Sequence, residues 1–212
     1  MCIRDRISRY NTSYNSIEQW PSYNTILNCT AYDNKDIKTC ENADGFAAKL
    51  TCGEGNVFDG CISYCNSDDG WDLYAKPATG PIGVVTIKNC IAFGNGKLTD
   101  GSGSANGDMN GFKLGGSNGA CPTPHVVENC LAFNNGATGF TDNGNGGAIK
   151  MSNCIAVNNG IYDKTKANFM CYRTSEDAEY TNIVSAAASK NAATDQFKGK
   201  LSHCLLYTSD AA

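Results

Sequence analysis

Three carboxylates fall within five positions in the stretch NSDDGWDLY, residues 66–74: Asp68, Asp69 and Asp72. Like charges this close repel, and a folded chain tolerates them only where something positive sits among them. Two other residues belong to the same question. Asp44 opens DGFAAKL (44–50), and Lys113 lies in NGFKLG (110–115). Crowded carboxylate oxygens suit calcium, which accepts about six to eight oxygens at roughly 2.3–2.6 Å. Lysine is no ligand for such an ion. Beside it, the amine is either a base or a charge partner, and a nearby cation disfavours its ammonium form. The bland alternative is a solvated acidic turn whose charge Lys113 offsets.

Which elements would bring these residues together is written in two interleaved repeats. NCTAYDN (28–34), GCISYCN (60–66), NCIAFGN (89–95), NCLAFNN (129–135) and NCIAVNN (153–159) align without gaps. Their cysteines, Cys29, Cys61, Cys90, Cys130 and Cys154, are spaced 32, 29, 40 and 24 apart. A minimum spacing with variable insertions is what a solenoid with loops on one side produces. The second set, DGFAAKL, DGWDLY (69–74), NGFKLG and TGFTD (138–142), shares a glycine followed by an aromatic. With Phe46, Trp71, Phe112 and Phe140 pointing inward, strand alternation sends Ala48, Leu73 and Leu114 inward too. Asp142 breaks this pattern in the last copy. Two short strands per coil, Gly and Asn at the corners and no helical period predict an all-β protein, a parallel β-helix. The closing Asn34, Asn66, Asn95, Asn135 and Asn159 are expected to stack at one corner. The aligned cysteines are expected to form an inward row of small apolar thiols. Cys40, Cys52, Cys65, Cys121 and Cys171 lie off this row, and their spacing cannot reveal pairing.

The alignment sets the register of the acids. Asp44, Asp69 and Asn110 precede the shared glycine in successive copies, and Ala47, Asp72, Lys113 and Thr141 follow three places on. Neighbouring strands lie about 4.8 Å apart. Asp44 and Asp69 are therefore vertical neighbours, as are Asp72 and Lys113, on a row facing away from the core. Asp68 joins from the adjacent turn. Trp71 aligns with three phenylalanines and reads as core. Lys49 and Tyr74 fall on the outward row as candidate substrate contacts, with Lys76 and Arg173 as further cations for an anionic ligand. The Gly/Ser-rich insertion GKLTDGSGSANGDMN (96–110) reads as a loop rimming the groove, and it carries Asp100 and Asp108. His125, without a partner in the sequence, reads as the start of a strand.

The bulk composition narrows the function classes. The chain has 212 residues and a net charge of −4, which offers no nucleic-acid surface. No run of 18 apolar residues exists, so no membrane helix is expected. No pair of CxxC motifs occurs among the 12 cysteines, which argues against a zinc site. The two ends stand apart. MCIRDR (1–6) can be encoded by ATGTGTATAAGAGACAG, and the reverse complement of that string encodes the CLLYT of residues 204–208. Opposite-strand copies of one element resemble a translated library adapter. Residues 1–6 and 204–212 are therefore set aside, and 7–203 is expected to be a single β-helix domain that is incomplete at both ends.

At this point the residues carry a family likeness. ADGFAAKLTCGEGNVFDGCISYCNSDDGWDLY followed by NGFKLGG resembles the family 9 polysaccharide lyases, pectate lyases built on a right-handed parallel β-helix. The likeness covers about residues 20–170. It implies that Asp44, Asp68, Asp69 and Asp72 bind Ca2+, that Lys113 is the Brønsted base, and that the substrate is polygalacturonate or pectin, cleaved by β-elimination. It further implies a secreted or exported bacterial protein, here expected to be a monomer. Two other readings compete. A β-helix glycoside hydrolase would need a carboxylate pair flanking the bond and would leave Lys113 idle. A non-catalytic polysaccharide-binding or surface module would use calcium only structurally.

Overall fold

The computed structural model describes residues 5–6, 21–36, 38–103, 106–186 and 193–207. Its strands form three seven-stranded sheets, and every pairing within them is parallel. One coil shows the plan: Asn56–Asp59 in the first sheet, Ile62–Tyr64 in the second and Trp71–Asp72 in the third. The next coil repeats it with Val85–Lys88, Ile91–Phe93 and Phe112–Lys113. The chain is a parallel β-helix.

Three strands per coil appear where the sequence suggests two. The extra strand runs directly into the cysteine repeat, and one residue bends it away. Asn28, Gly60, Asn89, Asn129, Asn153 and Asn182 all hold a left-handed conformation there, with φ between 51° and 67°. Asparagine and glycine accept that conformation at the least steric cost, which is why the corner is spelled in those two residues.

The inward rows follow the alternation. Phe46, Trp71, Phe112 and Phe140 are fully buried, and Phe169 and Phe197 extend the same ring stack. Burying each such ring contributes about 1.5–3 kcal/mol, and offset stacking adds to it. Ala48, Leu73 and Leu114 are also at zero exposure. Cys61, Cys90, Cys130 and Cys154 line the interior as free thiols, with Cys29 partly buried at one end of the row. The off-row cysteines are free as well.

The asparagine corner is a continuous side-chain ladder. The Nδ2 of Asn34 donates to Asn66 Oδ1, and the pattern continues through Asn95, Asn135 and Asn159 at 2.7–3.0 Å. Asn159 then donates to Asn168, a sixth rung. This ladder explains the shared glycine of the second repeat. A Cβ at Gly70 would lie 2.5 Å from the Gly111 carbonyl and 2.9 Å from Asn95 Nδ2, and Gly111 meets Gly139 and Asn135 in the same way. Only a residue without a side chain lets the strand pass over the ladder.

The segment 175–200, which has no recognisable repeat, continues the stack through Glu179–Thr181, Val184–Ala186 and Gln196–Phe197. Ile183 occupies the interior position that cysteine fills in earlier coils. From the two terminal stretches, Asp5–Arg6 pairs with Phe46–Ala47, and Leu205–Tyr207 pairs with Val184–Ala186.

Candidate active site

The third sheet sets the acids and lysines side by side. Phe112 and Lys113 pair in register with Trp71 and Asp72, which in turn pair with Phe46 and Ala47. Asp72 and Lys113 are thus vertical neighbours, as the alignment requires. Asp44 meets Asp69 through the Asp69 amide, which donates to Asp44 Oδ1 at 3.3 Å. The row faces away from the core, yet it is not solvated. The side chains of Asp44, Asp69, Asp72 and Lys113 are at most 9% exposed.

The cover comes partly from the 96–110 insertion. Thr99 bonds Asp33 with both its amide and its hydroxyl, and Asn106 donates to Thr39, so the loop is tied back to the stack. The Asp108 amide donates to Asp68 Oδ1 at 2.6 Å, while Asp108 Oδ2 lies 2.7 Å from Lys113 Nζ. Asp108 therefore belongs to the cluster. Asp100 instead caps its own turn by accepting from the Ser102 amide.

Lys113 Nζ also lies 3.0 Å from Asp69 Oδ2 and 3.9 Å from Asp72 Oδ1. Burial works to lower its pKa, but the charges of Asp69, Asp72 and Asp108 outweigh burial and hold it above the ordinary lysine value. Lys49, an outward-row cation in the sequence, sits inside the cluster, 2.9 Å from Asp44 Oδ2 and 2.6 Å from Asp72 Oδ2. It too is held above the usual value, because the carboxylates overcome its burial.

The acids show the strain of the crowding. Burial, then the Asp72 charge, pushes Asp44 up to about 7. Asp68 and Asp69 are raised chiefly by burial, with neighbouring carboxylates adding to it. Five carboxylates, Asp44, Asp68, Asp69, Asp72 and Asp108, face two ammonium groups.

A divalent cation fits this arrangement. Asp44, Asp68 and Asp69 each offer an oxygen, and the three atoms lie within 4.8 Å of one another. Asp69 Oδ2 is buried with no hydrogen bond; its approach to Lys113 is a charge contact out of hydrogen-bonding line. Its Oδ1, by contrast, accepts from both the amide and the side chain of Asn110. A hard oxygen left bare beside two other carboxylates is the chemistry of a calcium or magnesium ligand set. Asp72 stands slightly apart, its oxygens turned to Lys49, Lys113 and the Tyr74 amide.

The remaining sequence candidates are dispersed. The Tyr74 ring lies 6.0 Å from Lys113 Nζ and edges the site. Lys76 closes a tight turn, its carbonyl accepting from the amides of Thr79 and Gly80. Arg173 lies beyond Lys113 in the stack and pairs with Asp142, the residue that broke the apolar pattern, at 2.7 Å. His125 is fully buried; its Nδ1 accepts from the Val85 amide, and burial lowers its pKa to about 3. It is a structural residue.

Comparison with known proteins gives consistent relatives. A family model described as "Pel9A-like, right handed beta helix region" matches residues 6–182. Pectate lyase L of Thermoclostridium stercorarium is 54% identical over 165 residues, 78% of this chain and 12% of that protein. Pectate lyase L of Paenibacillus polymyxa (strain SC2) is 45% identical over 193 residues, 90% of this chain and 41% of that protein. The crystal structure of pectate lyase Pel9A superposes with a TM-score of 0.70 at 33% identity, covering 84% of this chain and 42% of that one. This chain spans less than half the length of each of these relatives.

Proposed function

The chain belongs to the Pel9A-like right-handed β-helix family, and from that premise we propose that it carries the active site of a calcium-dependent pectate lyase. The substrate is polygalacturonate, and the reaction is β-elimination with Lys113 as the base. The observation that carries this reading is a lysine ringed by acids next to a bare carboxylate oxygen, Asp69 Oδ2.

Asp44, Asp68 and Asp69 would hold the ion, with Asp72 joining once it exchanges an ammonium contact for it. When bound, calcium neutralises the uronate carboxylate and stabilises the charge that develops on deprotonation. The rest is the work of this chain's residues. Lys113 can take a proton only as the free amine, and its burial favours that form. The acids around it oppose this while their charges are uncompensated. Compensating Asp69 and Asp72 therefore shifts Lys113 toward the amine, which ties the base to the ion.

The proton on the carbon bearing the uronate carboxylate then moves to Lys113 Nζ. The electron pair left behind forms the new carbon–carbon double bond as the glycosidic carbon–oxygen bond breaks. Water is free to protonate the departing oxygen. Asp108, more than half exposed and 2.7 Å from Nζ, links the resulting ammonium to solvent. The polymer is too large to cross a membrane intact, which supports an exported enzyme.

The test is ultraviolet absorbance of the unsaturated product from polygalacturonate, with excess calcium, with chelator and with Lys113→Ala. Calcium-dependent absorbance lost in a folded Lys113→Ala protein is the expected result. New reducing ends without absorbance would instead mean a hydrolase. A folded protein whose Tm rises with calcium but which produces neither signal would be a binding module. Because the Tm shift reads the ion without turnover, Asp69→Asn should abolish that shift whatever the activity.

A further inference from the structure

Beyond Lys113 in the stack, the third sheet opens into a second polar pocket. Thr141 is the register partner of Lys113 in the next coil. It lines an open pocket of about 120 Å³ together with Asn143, Lys166, Tyr172 and Arg173, and Asp108 stands on the wall shared with the lysine site.

The pocket presents two cationic side chains, Arg173 and Lys166, and the guanidinium is fixed. Asp142, at zero exposure, accepts from Arg173 Nε at 2.7 Å and from the Arg173 amide at 2.7 Å. The Tyr172 ring lies 4.6 Å from the guanidinium carbon and supports one face of it. A guanidinium anchored through Nε keeps donors on its other nitrogens for a ligand. Arginine is suited to this use because its planar fork matches a carboxylate. Lys166 supplies a second charge and is in no ion pair among the described residues.

We infer that Arg173 and Lys166, which flank Phe169–Cys171 two coils beyond Lys113, form a subsite for the free carboxylate of a second uronate on the polymer whose neighbouring residue Lys113 deprotonates. The inference rests on the lyase reading for the identity of the sugar. Asp142 and Tyr172 are positioning residues that orient Arg173. Methyl esterification removes the charge this subsite recognises, so the pocket selects unesterified stretches next to the scissile bond. It also explains why an acidic residue stands at position 142 in an otherwise apolar register: the acid is an anchor for the arginine.

The measurement is binding of tetragalacturonate by calorimetry, made on Lys113→Ala with calcium so that no turnover occurs, alongside KM on polygalacturonate for the active chain. Lys166→Gln leaves no buried charge behind and should fold normally. Arg173→Lys keeps a partner for Asp142 but loses the fork. Each should weaken tetragalacturonate binding and raise KM by roughly tenfold, the scale of one charge-assisted hydrogen bond, with kcat within twofold. On highly methyl-esterified pectin the same variants should differ little from the parent. Unchanged affinity and KM in both variants would overturn the subsite while leaving the lyase intact. Variant-dependent binding in a chain that yields no unsaturated product would keep the subsite and sink the lyase.

Discussion

At the scale of single residues, Lys49 shows how far spacing can go. Alternation along DGFAAKL sends Lys49 away from the core, and the structure agrees on that face. What alternation cannot reveal is that Asp44 and Asp72 close over the ammonium at 2.9 and 2.6 Å. That depends on neighbouring coils and on the loop above them. Lys49→Met should remove the ammonium and leave two buried carboxylates, destabilising the calcium-free protein by about 3–5 kcal/mol. Calcium should recover part of the loss, so the calcium-induced rise in Tm should be larger in Lys49→Met than in the parent. Urea and thermal unfolding with and without chelator measure both. Unchanged stability with a raised KM would make Lys49 a substrate contact instead. Asp108 was harder to read, since it lies in a Gly/Ser-rich insertion where no periodicity operates. Only the fold of that loop, held by Asp33 and Thr39, brings it to Lys113.

At the scale of elements, the asparagine ladder and the glycines above it turn a loose repeat into a fixed register. Asn95 Oδ1 accepts from both the amide and the side chain of Asn66, and Asn95 Nδ2 donates to Asn135. Asn95→Ala should therefore orphan two buried donors and cost about 2–5 kcal/mol. The outer corner offers a matched control. Asn129 belongs to a second ladder with Asn89 and Asn153, but that ladder is exposed and water can replace each bond. Asn129→Gly keeps the left-handed backbone and should cost under about 1 kcal/mol. Equal losses at the two sites, measured by urea unfolding, would show that stacking of the amides matters independently of burial. These elements were the most legible part of the chain, because a buried ladder demands asparagine at every rung. The coil holding Val184–Ala186 escaped for the same reason. Ile183 replaces the cysteine there, and Asn168, the last rung, comes from the start of a third-sheet strand outside the aligned repeat.

At the scale of the whole molecule, the site is a clamp across coils. Asp44 comes from the coil of Phe46–Ala47, Asp68, Asp69 and Asp72 from that of Trp71–Asp72, and Lys113 with Asp108 from that of Phe112–Lys113. In a solenoid each coil touches only its neighbours, so stability is close to a sum of coil and interface contributions. An ion bound at one interface then stabilises that interface first, and distant coils gain only as far as folding is cooperative along the stack. The metal-free cluster carries excess negative charge, which weakens the contacts between these coils. Hydrogen exchange with and without saturating calcium should therefore show the largest gain in protection across residues 44–48, 69–73 and 110–114. The Lys150–Ser152 and Glu179–Thr181 strands should change little. A uniform gain along all coils would mean that the stack opens as one unit and that calcium acts on global stability. No gain anywhere would remove the ion from the acidic cluster, and with it the coupling of calcium to the protonation of Lys113.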